Sequence, residues 1–241
     1  VFLRHGVPHH HTIVAGVRNQ QTAILHDDTM RPAHPGSIGG LPGILVTGDE
    51  IDFTEHQIGR LHVVGSNPTT APVIEASYRR LLQLLDARLT ESSFVFGQRP
   101  AASDFGLFGQ LTQLVQFDPT PMAIARAETP RIVAWLDTVE DLSGLNVNDG
   151  DWMPRNPLPA TLRALLTELG RVYAPFLLAN AHALETKAAR VECEIDGKPW
   201  VQQPFPYRGK CLAALRAERE KLTVDERSAV DALLAGTGCE I

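Results

Sequence analysis

Cysteine, lysine and long apolar runs are scarce in this sequence, and each shortage excludes something. The three cysteines, Cys193, Cys211 and Cys239, are odd in number and never form a C-x-x-C pair, so neither a disulfide framework nor a zinc site is implied. A reducing cytoplasm is the expected compartment, and no metal is expected. All four lysines follow residue 186, and the net charge of −6 at pH 7 is not gathered into blocks. Scattered cations do not supply the basic footprint that phosphate contacts need, so nucleic acid is not an expected partner. The runs "RLLQLLDARL" and "VYAPFLLANAHAL" fall short of the roughly 20 residues that span a bilayer, and polar residues interrupt both. No membrane partner is expected. The chain opens at Val1 without the charged and apolar regions of a signal peptide, and its start reads as a truncation.

What is present suits a packed protein: 241 residues, 44% of them hydrophobic, suffice for one large or two small domains. Eight of the nine histidines lie in the first 62 residues, with several Gly and Pro turns, which places a boundary near "GSNPTT". Before it, "HTIVAGV" and "GILVTG" read as strands, "EIDF" could pair with the latter, and a short helix would start at Thr54.

Beyond the boundary the period is helical. Thr69 or Thr70 can cap a helix with Pro72 in its first turn, whose Ile74, Tyr78, Leu81, Leu85 and Leu89 recur at spacings of three and four. A second helix is predicted over 102–116, with a stripe of Phe105, Phe108, Leu111 and Val115, and "DPTP" stops it. Pro130 opens another with Ile132, Trp135, Leu136 and Val139 on one side. One long helix over 159–187 is expected to kink near residue 171, because Pro175 removes a backbone bond and crowds the preceding turn. In "RVECEIDGKPWVQ", Val191, Cys193 and Ile195 alternate with acids ahead of Asp196-Gly197, which predicts a small exposed hairpin over 191–202. Two closing helices, over 207–221 and 224–235, end at Gly236.

The approach "F-G-x-R-P", the helix opening "A-S-D-F" and the later "P-R-I-V-A-W", in their order and spacing over residues 66–143, resemble the all-helical C-terminal domain of cytosolic glutathione transferases. The tail from Asp151 is similar to the extension of some bacterial relatives. The resemblance implies a mainly α fold in three parts: a partial thioredoxin-like α/β part over 1–64, the helical domain over 65–150, and a helical extension with the hairpin over 151–241. It also implies a homodimer and a reaction in which glutathione thiolate, glutathione being a substrate, attacks an electrophilic small molecule. By the same resemblance, Pro42 stands where the family has a cis proline, Leu41 precedes it, and Glu55-His56 stands where Glu-Ser begins a helix. These four would hold glutathione, although His56 replaces the serine that contacts its carboxylate. The Tyr, Ser or Cys that activates the thiol would lie upstream of Val1, so no catalytic residue is assigned.

That chemistry has a physical requirement. A thiol with a pKa near ~8.5 is mostly protonated at neutral pH, so a donor or positive dipole must stabilise the nucleophilic thiolate. A peptide held along a strand edge, with its carboxylate at a helix start near Thr54, meets the positioning requirement. An apolar pocket beside the sulfur would then hold the electrophile, lined by Tyr78, Phe108 and Leu111. Tyr78 and Phe108 fit the core equally well, as aromatics at helical spacing usually do.

The same weighing applies elsewhere. Asp104 could be a general base, but three residues after Ala101 it occupies the acid position of a capping box and reads as a structural cap. The family has Ser or Thr where Ala101 stands, so half of the reciprocal cap is missing. Adjacent His9, His10 and His11 point to alternate faces of a strand and read as an exposed strand rather than a metal site. Cys193 between acids should have a raised pKa; Cys211 reads as core or interface, and the Arg79-Arg80 pair as a solvated helix face. The alternative to a transferase is a non-catalytic binding or assembly module that keeps the helical domain without a working thiol site.

Overall fold

In a computed structural model, residues 61–154 and 157–240 are described. They are mainly helical, with one two-stranded antiparallel sheet among them. The strands and short helix expected before residue 61 lie outside the described residues.

A short turn, Leu61–Val64, leads into α1, Ala71–Glu91. Pro72 sits in the first turn of α1, where its missing N–H breaks no helical bond. Thr70 is the N-cap but makes no side-chain cap bond; its hydroxyl donates to Gly65 O (2.7 Å) and accepts from Asn67 N (3.0 Å), closing the loop ahead of the helix. The buried face of α1 is Ile74, Tyr78, Leu82, Leu85 and Arg88, so Leu82 rather than Leu81 continues the stripe and an arginine ends it.

Helix α2, Ala102–Thr112, runs into a wider π turn, Gln113–Phe117, so the α-helical part stops short of the expected 116. Phe105 does not join the stripe: it is 44% exposed, while Asp104 is fully buried. The inward positions are Asp104, Leu111 and Val115, and the residue after Asp104 is carried about 100° around the helix. Helices α3, Pro119–Glu128, and α4, Pro130–Glu140, follow, and α4 buries Ile132, Trp135, Leu136 and Val139 as its period predicts.

The long helix is two helices rather than one kinked helix: α5, Ala160–Val172, and α6, Ala174–Thr186, part at Tyr173. Pro175 is the reason. It has no N–H to donate four residues back, and its ring crowds the carbonyl there. Leu162 and Leu165 of α5 pack into the same core as α1, α2 and α4.

Strands β1, Val191–Ile195, and β2, Lys198–Gln202, pair with Cys193 opposite Trp200, across a turn in which Asp196 and Gly197 have φ of 53° and 71°. The turn is as expected, but the hairpin is not wholly exposed. Val191 and Ile195 are buried against Phe176 and Ala183 of α6 and Val73 of α1, and half-buried Trp200 touches this cluster and the main core. Alternation fixes which residues share a face; only the neighbouring helix decides that the face is covered.

Helices α7, Pro206–Glu220, and α8, Val224–Leu234, close the described chain, and Gly236 follows at φ 75°. Buried Asn180 ties α6 to α7, donating to Phe205 O (3.1 Å) and accepting from Phe205 N (2.7 Å).

Candidate functional site

The approach to α2 is built around one carboxylate. Asp104 Oδ1 accepts from Val95 N (2.8 Å), and Oδ2 accepts from Ala101 N (2.9 Å). The second bond is the acid's half of a capping box; Ala101 offers no oxygen for the reciprocal half. The contrast lies in α8, where Thr223 accepts from Glu226 N (3.3 Å) and Glu226 accepts from Thr223 N (2.9 Å). Burial raises the Asp104 carboxyl above its ordinary range, and the Val95 and Ala101 N–H groups oppose that rise.

The "F-G-x-R-P" residues, 96–100, dock the segment that follows α4. Met153 N donates to Phe96 O (2.9 Å) and Gln98 N to Asp151 O (2.8 Å), a close backbone approach with Gly97 at its centre. Gly97 has φ 138°, and a Cβ there would lie 2.3 Å from Asp151 O, so no other residue fits without movement. The Arg99 guanidinium stacks 4.5 Å from the Trp152 ring centre and donates to Asn148 O (3.3 Å).

Arg88 performs a parallel task at the end of α1. Only 2% exposed, it donates from Nε to Val95 O (2.9 Å) and from Nη1 to Glu91 (2.9 Å) and Thr161 (3.3 Å). Asp104 and Arg88 thus grip the N–H and the C=O of the same residue, Val95. Sequence reading missed Arg88, though a cation on an otherwise apolar helical stripe was the available signal.

The residues expected at a ligand site divide into two sets. Leu41, Pro42, Glu55 and His56 lie outside the described residues, as do His9, His10 and His11. Tyr78 and Leu111 lie in the main core, and Phe108 packs against it half-buried. The Tyr78 hydroxyl donates to Pro121 O (3.2 Å), and burial drives its pKa well above the ordinary phenol value.

Two surface clefts are lined by other residues. One, of about 600 Å³, lies between α1 and α5 beside Arg80, Leu84, Ala164, Glu168 and Arg171. The second, of about 470 Å³, lies beside His182, Thr186 and Arg190 at the end of α6. At the edge of the first, Arg80 donates to Glu168 (2.8 Å) and Asp196 (2.7 Å), and Arg171 donates to Asp196. Arg80 is therefore no solvated cation: Glu168 and Asp196 are 9% and 12% exposed and hold it. Arg79 pairs with Glu128 and with Glu75 (3.4 Å).

All three thiols have raised pKa values, and burial is the leading cause in each. For Cys193 the direction matches expectation, but burial against the helices raises it rather than the flanking acids. At Cys211 the Arg208 charge opposes the rise, while Arg208 itself stacks 4.5 Å from the Phe176 ring centre. Cys239 donates to Leu166 O (3.2 Å). Tyr173, buried near Arg208, is pushed up to about 12. Among the described residues no group of three or more His, Cys, Asp or Glu converges as metal ligands, and no helix is long and apolar enough to cross a membrane.

The chain matches no family model, no curated protein and no solved structure.

Proposed function

We propose that this chain is a protein of the glutathione transferase type, whose activity is attack of glutathione thiolate on an electrophilic small molecule. The supporting observation is the architecture around Asp104: a fully buried acid in the first turn of α2, accepting from Ala101 N and Val95 N, after an F-G-x-R-P approach packed against a neighbouring segment. These residues carry the resemblance in sequence, and each has a structural task that depends on its side chain. In this reading Leu41, Pro42, Glu55 and His56 hold the glutathione backbone and carboxylate, Phe108 borders the electrophile, and the protein acts as a homodimer.

The described residues supply no activated thiolate partner of their own. Cys193, Cys211 and Cys239 are biased toward the neutral thiol by burial, so the sulfur chemistry belongs to glutathione and not to a protein cysteine. The test is retention of the protein on immobilised glutathione with elution by free glutathione, followed by turnover of a chromogenic aryl halide. No retention at millimolar thiol counts against the reading.

A second reading is favoured by one observation. Tyr78 and Leu111, two of three expected pocket residues, are 4% and 1% exposed. That placement suits a binding or assembly module that keeps the helical domain without a working thiol site. Retention without turnover would select it.

A further inference from the structure

The β1–β2 hairpin is held at two places remote from each other in sequence. At its turn, Asp196 accepts from Arg80 of α1 and Arg171 of α5 through different carboxylate oxygens. Glu168 faces the same two guanidinia, at 2.8 Å from Arg80 and 3.8 Å from Arg171, so two cations and two anions form a closed ring. At the other end, Trp200 of β2 lies over Gly65, the residue that closes the loop into α1. A Cβ on Gly65 would fall 2.4 Å from Trp200 Nε1, and its φ of 74° also requires glycine. Trp200 is fixed there by donating to Gln202 Oε1 (3.0 Å).

We propose that the hairpin is an ionically held latch, which opens as a unit and, while closed, immobilises the Gly65 junction between residues 1–60 and α1. The buried inner face is small, essentially Val191 and Ile195, so the charge ring supplies a large share of the docking. Short hairpins are marginal alone and need such outside contacts. The cleft lined by Arg80, Glu168 and Arg171 admits dissolved ions to the ring, so salt weakens it more than it would a sealed pair. The latch stands independently of the glutathione reading. Under that reading it would govern how firmly the glutathione-holding residues are presented to the helical domain.

Cys193 reports the opening, because its half-buried thiol packs beneath the hairpin, whereas Cys239 sits against α5. The experiment follows alkylation of each cysteine by peptide mass spectrometry, with amide hydrogen exchange of segments 61–70 and 191–202, on the whole chain. Asp196→Asn is the probe, since Asn-Gly keeps the turn conformation. At least tenfold faster Cys193 labelling is expected in the variant, with Cys239 unchanged and both segments exchanging faster together. Molar sodium chloride should accelerate Cys193 in the native chain and add little in the variant. Equal acceleration of all three thiols would mean that the hairpin opens only on global unfolding and would overturn the latch. So would unchanged Cys193 labelling, or faster exchange in 191–202 without a change in 61–70. Should Asp196→Asn not fold, the salt series on the native chain decides by the same two readouts.

Discussion

Val95 has its N–H held by Asp104 and its C=O held by Arg88, both side chains almost wholly removed from water. Removing either partner strands a buried backbone group, which costs about 1–3 kcal/mol for each group left unsatisfied. Asp104→Ala strands two N–H groups and is expected to lower unfolding free energy by about 2–4 kcal/mol, read from the urea midpoint, while the folded fraction keeps its ligand affinity. The pH dependence follows from the raised carboxyl. A raised folded-state pKa means that the native chain binds this proton more tightly than the unfolded chain. Its contribution is then full below the unfolded carboxylate range and declines as pH rises through the folded value. The cost of Asp104→Ala should accordingly be larger on the acid side than at neutrality. Arg88→Ala also leaves a cavity and is expected to cost about 3 kcal/mol. Every thiol is raised by burial, so alkylation of native protein at pH 7 should be slower than that of a small thiol and should increase steeply in alkaline solution.

At the scale of elements, close backbone approach does what side chains cannot. The 96–98 strip meets 151–153 through Gly97, and any side chain there collides with Asp151 O. Gly97→Ala is expected to cost about 2–4 kcal/mol, combining strain at positive φ with overpacking; a denaturation series measures it, with loss of the Arg99–Trp152 stack visible in Trp fluorescence. Elements also show how local signals were overridden. Pro175 announced an interruption, and the outcome was a full break at Tyr173, because a helix start on its far side satisfies the chain better than a strained continuous helix. Phe105 matched the apolar period of α2, yet Asp104 takes the inward position, because its two backbone bonds exist only there.

For the molecule as a whole, two apolar clusters meet at Trp200, one built from α1 through α5 and the other from α6 and the hairpin. Glutathione retention tests the proposed activity at this scale, and Asp104→Ala should leave retention of folded protein intact, since its carboxylate is wholly occupied by the scaffold. Much of this fold was legible. Helices α1, α3, α4, α7 and α8 follow from period, proline and cap residues, the hairpin from Asp196-Gly197, and the half cap from Ala101 and Asp104. These are local signals, carried by neighbours in sequence. The ring of Arg80, Glu168, Arg171 and Asp196 joins residues up to 116 positions apart. The double grip on Val95 and the burial of one hairpin face depend likewise on which elements meet. Local conformation is set by sterics and hydrogen bonds within a few residues, which the sequence determines by itself. Desolvation and charge pairing depend on neighbours that only the packed chain brings together, and the tertiary structure alone decided them.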